Sequence, residues 1–441
     1  MTLSDARESR GQLLHILGVS FGIAVAIGGM IGAGILRTPS LIAAEVPDAW
    51  LILALWAIGA LHAALEANVV SELSTAMPRA GGFYVYAHRA FGDVGGLVVG
   101  WTTWISRLAS TSALSVAFAD FLALLWPAVA GHTVLTAIAM QLSVFGLNLV
   151  GLREGRTFQE VTSLVKALAL AAFCIAVFLT AAPQAPSIAA VAPAVGWIGA
   201  IAAYQAIVGA YAGWFEPAFF AEENAEPGRS IPRAMFTGLA IAAVLYLAIN
   251  AALLHALGVA NMAHGALPYA TVLARIAGKT TSALFAVGAM FVVVSCANSG
   301  IMSAPRILLA LSRDRLLPAV FRNVNKGGSP YVASLMTASC AALLTTTGSF
   351  GLLFGLIGTL GIASFILTIG SIFVLRRREP ELPRPFRAFG YPWLPALVLV
   401  VDIALLLLFL DTNWWGAFYA AVMWLACIPF AIVARRADRA A

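Results

Sequence analysis

Twelve apolar runs, each long enough to cross a bilayer, take up most of the chain. They lie near 16–43, 49–76, 94–127, 133–151, 158–182, 196–221, 234–258, 280–311, 331–348, 351–375, 393–410 and 414–434. A spanning helix needs about 20 mostly apolar residues, and inside lipid every backbone N–H and C=O has to find a partner within the protein. Only helices and closed barrels meet that demand. The runs show no apolar–polar alternation over comparable lengths, which sets aside a barrel and makes the fold class all-α integral membrane. Composition agrees: 61% of the 441 residues are hydrophobic and 10% are charged, against about 45–50% and about 25% in soluble domains. No soluble fold has the interior to hide so much apolar surface. A soluble enzyme, a disordered regulator and a nucleic-acid-binding module are thereby excluded.

The net charge of +6 does not point to an acidic partner, because the basic residues sit in short clusters between the runs. With the N-terminus inside, twenty-one of the twenty-six Lys and Arg residues fall on the inner side. The outer segments hold only Arg37, Arg275 and Lys279, while Arg107 and Lys166 lie within spans. This bias puts both termini in the cytoplasm, which requires an even number of spans. The polar stretch Met1–His15 reads as a cytoplasmic tail ahead of a long first span rather than a cleaved signal peptide. The expected location is the inner (cytoplasmic) membrane. Cys174, Cys296, Cys340 and Cys427 stand alone in apolar runs, so neither a disulfide framework nor a metal site is implied. No cofactor, nucleic acid or obligatory protein partner is expected; the partners are lipid and a small solute.

Two runs are interrupted by glycine. Span 1 contains Gly28-Gly29-Met30-Ile31-Gly32-Ala33-Gly34-Ile35 followed by Pro39, and span 6 contains Gly209-Ala210-Tyr211-Ala212-Gly213-Trp214-Phe215-Glu216-Pro217. Taken singly, either stretch reads equally well as a small-residue packing face. Together they stand at matching places, each opening one of two five-span halves, and such pairs point to a transporter's midplane site. Unwinding leaves N–H groups at the start of one half-helix and C=O groups at the end of the other, at a depth without bulk water. A zwitterion supplies partners for both: carboxylate at the amide end, ammonium at the carbonyl end. The expected substrate site is therefore Met30, Ile31, Gly32, Ala33 and Gly34 with Gly209, Ala210, Ala212, Gly213 and Trp214.

Several motifs resemble those of the amino acid–polyamine–organocation (APC) transporter superfamily. Ile31-Gly32-Ala33-Gly34-Ile35 is similar to its I-G-S/A-G-I element, and Pro78-Arg79-Ala80-Gly81-Gly82-Phe83-Tyr84-Val85-Tyr86 to its P-R-S/A-G-G-x-Y-x-Y loop. Glu222-Glu223-Asn224 through Pro227, then Arg229 and Ile231-Pro232-Arg233-Ala234, resemble the motif after helix 6. Arg313-Asp314-Arg315 resembles A-R-D-G with arginine in place of glycine, and Arg376 to Phe386 matches the loop before helix 11. The resemblance covers nearly the whole chain. It implies a LeuT-like fold of 5+5 inverted repeats with alternating access: a tail over 1–14, repeats over 15–182 and 196–375, and two appended helices over 393–434. It also implies a carboxylate held by the amides of Ala33 and Gly34, and an ammonium facing the carbonyls of Met30, Gly209 and Ala212. Many members place a bulky aromatic gate where this chain has Gly209. Either Trp214, Tyr211 or Phe215 closes the site instead, or the pocket takes a larger solute.

Charge within a span is costly and marks function. Lys166 is either a lysine snorkelling to the inner interface or, as the resemblance implies, an ammonium replacing sodium between helices 1 and 8 near Ser295. Arg107 either pairs with an internal acid (Glu66, Asp120 or Glu216) or binds an anionic group of the substrate. Ser110 and Thr111 on the same helix are candidate pocket lining. His62 and His255 read as hydrogen-bonded core residues, and Glu72, Glu222, Glu223 and Asp314 as partners of inner-end arginines. The reading is a sodium-independent secondary transporter of an amino acid or related amine, proton-coupled or exchanging. A membrane receptor or integral-membrane enzyme of similar topology is the alternative, but no H-E-x-x-H, G-x-S-x-G or nucleotide-binding loop is present to serve the enzyme.

Overall fold

A computed structural model describes residues 13–180, 196–264, 268–278 and 281–412, together with 418, 421, 422 and 425. These residues form thirteen α-helices and no strand. In order they are α1 (Val19–Met30), α2 (Ala33–Glu45), α3 (Ala49–Ala76), α4 (Phe83–Leu125), α5 (Thr133–Val150), α6 (Leu152–Thr180) and α7 (Trp197–Tyr211). There follow α8 (Pro227–His264), α9 (Pro268–Ala277), α10 (Thr281–Arg313), α11 (Tyr331–Thr345), α12 (Phe350–Arg378) and α13 (Trp393–Thr412). Eight are long and apolar enough to cross a membrane, and α1 with α2, bent by 42° at their break, makes a ninth. The helices α7 and α11 are shorter, at 15 residues each. The run expected at 414–434 lies outside the described residues apart from isolated positions, as do residues 1–12 of the tail and Cys427.

Leucines such as Leu164, Leu168, Leu179, Leu284 and Leu343 stand on the outside of the bundle at 60% exposure or more, which in a protein of this composition is a lipid-facing surface. Its interior is organised around α4, which packs along both α10 and α12.

The element limits differ from the sequence reading in three places. α4 starts at Phe83, inside the expected loop motif, and turns at Gly92, whose φ of 73° only glycine adopts at low cost. α8 runs past the expected end of span 7 and turns again at Gly258 (φ 68°). The ten-residue α9, too short to register as a span, lies in what reads as an outer loop.

The two glycine-rich interruptions are real breaks. Helix α1 ends at Met30, Ile31 and Gly32 are extended, and α2 restarts at Ala33, so the break is narrower than the glycine run suggests. Within α2, Pro39 offers no N–H to the carbonyl four residues back, that of Ile35. The Tyr269 hydroxyl from α9 donates to that carbonyl instead (2.8 Å). Helix α7 ends at Tyr211; Ala212 is extended, Gly213 has φ +133°, and a 3-10 helix follows over Glu216–Glu223.

The breaks meet at glycine. A Cβ on Gly29 would lie 3.0 Å from the Gly213 Cα, and one on Gly213 would run into the backbone of Gly29 and Met30. Gly213→Ala therefore combines an unfavourable φ with a backbone clash and is expected to cost about 2 kcal/mol or more. Gly146→Ala on α5, where a Cβ would meet open space, is expected to be neutral or slightly stabilising. Thermal unfolding of the two purified variants checks this: equal melting temperatures would show that the breaks do not depend on this contact.

Candidate functional site

A cavity of about 160 Å³ opens between the two breaks, α4 and α12. At about 10–15 Å³ per water position it has room for a small organic solute. From the sequence-chosen residues it is lined by Met30, Gly32, Ala33, Gly34, Arg107 and Ser110 on one side, and by Gly209, Ala210, Ala212 and Trp214 on the other. Ile31, Thr111 and Gly213 do not line it. Ile31 is fully buried in the core, and Gly213 packs on Gly29. Thr111 is buried where a Cβ on Gly300 would meet its hydroxyl at 3.2 Å. Of the three candidate gates, Trp214 and Phe215 line the cavity and pack against Phe365. Tyr211 instead packs on Trp56 and Tyr246, and its hydroxyl donates to the Trp56 carbonyl (3.2 Å).

The start of α2 supplies backbone donors to the cavity. Gly32 is its N-cap and has no side chain to cap with, so the amides of the first turn, those of Ala33 and Gly34 among them, have no intrahelical acceptor. Gly34 leaves room for this end of the helix: a Cβ there would touch the Ala210 Cα at 3.4 Å.

The carbonyls are largely taken by the protein itself. Tyr246 of α8 donates its hydroxyl to the Met30 carbonyl (2.6 Å) and lies 3.0 Å from that of Ala210. Gly209 accepts from the Ala212 N–H (3.3 Å). A substrate ammonium would share these acceptors rather than find them vacant. Nothing in the sequence distinguishes Tyr246, one hydroxyl in a long apolar run.

Lys166 does not snorkel. It is fully buried, and its ammonium donates to the carbonyls of Gly28 (2.9 Å) and Ile31 (2.8 Å), filling the end of α1. On the α10 side, Cys296 reaches the break, its thiol donating to the Gly29 carbonyl (3.3 Å), while the buried Ser295 hydroxyl has no hydrogen-bond partner among the described residues. Lys166 therefore lies against helix 1 and makes no hydrogen bond to Ser295.

Arg107 pairs with Glu216, the first residue of the 3-10 helix, and stacks over the rings of Phe215 (4.6 Å) and Phe219 (5.2 Å). Of the three acids open to it, Asp120 instead faces Arg37 (3.5 Å) and Glu66 faces His62 and Asp402. Glu216 and Glu66 both line the cavity, as do Gln205 and Phe365. Their positions follow from packing across helices, which spacing along one chain does not encode.

One end of the bundle is latched by arginines. Arg79 pairs with Asp314 (2.9 Å), Arg313 with Glu222 (2.7 Å), Arg306 with Glu223 (2.8 Å), and Glu72 with both Arg376 and Arg384. Arg89 pairs with Glu379 (2.8 Å), and its hydrogen bonds hold that carboxyl below the ordinary glutamate range.

The amino acid permease family profile matches residues 17–431. The chain belongs to the amino acid permease family. The permease is 25% identical to the serine/threonine exchanger SteT of Bacillus subtilis (strain 168) over 418 residues, covering 94% of this chain and 95% of that one. It is 23% identical to the branched-chain amino acid permease BcaP of the same organism over 427 residues, with 92% and 90% covered. It is also 24% identical to the methylthioribose transporter of that organism over 444 residues, with 96% and 94% covered. The permease is accordingly a multi-pass membrane transporter and not an enzyme.

In the permease, Lys166→Met leaves two buried carbonyls without their donor. At about 1–3 kcal/mol for each unsatisfied group the variant is expected to lose about 2–6 kcal/mol of stability. Chemical denaturation in detergent measures this, and a loss below about 1 kcal/mol would mean that other donors satisfy the end of α1.

Proposed function

We propose that the permease moves an α-amino acid or closely related amine across the cytoplasmic membrane by alternating access, independently of sodium and by proton coupling or exchange. The observation that carries this is the meeting of two helix breaks on one cavity, with the uncapped N-terminus of α2 facing it. The substrate carboxylate takes the amides of Ala33 and Gly34, where the helix dipole favours an anion. Its ammonium lies against the carbonyl end of α7, at Gly209 and Ala212, beside the Met30 carbonyl that Tyr246 already holds. Trp214 and Phe215 close the cavity, and Arg107, Ser110 and the surrounding walls set which side chain fits. A narrow backbone site reads the zwitterion alone, which agrees with named relatives as different as a serine/threonine exchanger and a branched-chain permease.

In this reading the chain has twelve spans with both termini cytoplasmic, and the arginine-latched end is the cytoplasmic gate. Residues 15–182 and 196–375 are the two inverted repeats, with 393–434 appended. The ammonium of Lys166 stands where a cation would otherwise bridge the end of α1 to α10, which supports sodium independence.

Purified protein in liposomes, screened by thermal shift against amino acids and amines and then assayed for radiolabelled uptake, tests the reading. Gly34→Val presses its side chain against Ala210 of α7, where the two breaks meet beside the α2 amides, and is expected to lower uptake by about tenfold or more, a loss of at least about 1.4 kcal/mol, while the protein still folds. Undiminished uptake by a folded Gly34→Val variant would remove the site from this location. Uptake that requires internal amino acid but ignores sodium and pH gradients would assign exchange.

A further inference from the structure

Two buried acids in the bundle are held differently from those that pair with arginine. Glu72, Glu216, Glu222, Glu223, Asp314 and Glu379 each pair with arginine. Glu66 and Asp402 instead face each other and a single histidine, His62, all three being buried. One ligand atom from each lies within 4.8 Å of the others. His62 and Glu66 are one turn apart at the middle of the 28-residue α3, and Asp402 is at the middle of the 20-residue α13. At 1.5 Å per residue, His62 is about 20 Å from either end of its helix, the depth at which charge is least tolerated.

The polar atoms here are incompletely matched. The Tyr204 hydroxyl of α7 meets His62 Nδ1 at 3.1 Å. His62 Nε2 lies 3.2 Å from Asp402 Oδ1 without a full hydrogen bond, and Asp402 Oδ2 has no partner among the described residues. With both carboxylates ionised and His62 neutral, the group carries two negative charges and no counter-charge. Two protons make it neutral, as a Glu66 carboxylic acid beside a His62–Asp402 ion pair. Like charges this close share protons as a unit. The ionisable side chains facing the group are Tyr204 of α7, His62 and Glu66 of α3 and Asp402 of α13; Glu66, beside Trp214, also opens onto the cavity that holds Arg107 and Glu216.

We propose that Glu66, His62 and Asp402 form a proton-binding site that couples proton entry to substrate movement through the adjoining cavity. Glu66 takes the proton from cavity water, bringing the group to neutrality, and returns it to that water after the gates exchange. This rests on the transport reading given above.

The test uses liposomes containing wild-type protein or Asp402→Asn, a radiolabelled mixture of the standard amino acids, and an inward gradient of one pH unit. With one proton per substrate, that gradient supports about tenfold accumulation. Wild type is expected to approach it and Asp402→Asn to equilibrate near onefold. A separate readout needs no transport: infrared titration of purified protein should show a carboxylic-acid C=O band appearing on acidification and missing from Glu66→Gln. The proposal is overturned by wild type that exchanges substrate without responding to the gradient. It is also overturned by Asp402→Asn accumulating like wild type, by a band unchanged in Glu66→Gln, or by stoichiometric zinc binding that Asp402→Asn abolishes. If wild type moves no amino acid the transport reading fails, and the infrared band alone decides the proton site; it decides likewise if Asp402→Asn is inactive.

Discussion

Breaking a helix inside a membrane strands backbone carbonyls and amides where lipid offers them nothing, and the permease is arranged around how those groups are satisfied. The carbonyls at the end of α1 are taken by the Lys166 ammonium, the Cys296 thiol and the Tyr246 hydroxyl. Those three donors come from α6, α10 and α8, so one break holds three neighbouring helices in place. Among the described residues the amides that begin α2 receive no such cover, and Ala33 and Gly34 line the cavity. Carbonyls filled and amides open is an asymmetry that favours an anionic group of the solute.

Glycine makes this geometry possible at two positions in particular. Gly29 and Gly213 let the breaks touch, and Gly213 alone among the residues around the second break adopts a positive φ. The contact brings Glu216 under the first break, where it meets Arg107 from α4. An arginine in the membrane interior is thereby neutralised by a carboxylate delivered by the break itself, and the aromatic rings of Phe215 and Phe219 cover it. At the arginine-rich end the same pairing recurs between elements far apart in the chain, as in Arg79 with Asp314 and Glu72 with Arg376. The more exposed of these, such as Arg79 with Asp314, each contribute little to stability on their own.

Much of this was legible in the sequence, for physical reasons that also explain what was not. Apolar runs of bilayer length leave no fold but helices, and paired glycine interruptions identify the breaks, because both signals are local. The acids at the arginine-rich helix ends can be matched to arginines in kind, since charge there needs a partner. The partner of Arg107 stayed open among three acids, because the choice depends on the path the chain takes after Gly213. Tyr246, the donor to Met30, gave no signal at all. Thr111 reads as pocket lining by its position on α4 but turns towards Gly300, a matter of helix rotation that one span does not reveal. Asp402 carries no local sign of its contact with His62, which reads as a core histidine until α13 is packed against α3.

If the α2 amides hold the carboxylate of an amino acid, a structure of the permease with an amino acid found by the thermal-shift screen will show it. The α-carboxylate is expected within hydrogen-bonding distance of the Ala33 and Gly34 N–H groups, with the ammonium towards Gly209 and Ala212. A carboxylate bound instead to Arg107, with the α2 amides facing only water, would overturn this assignment.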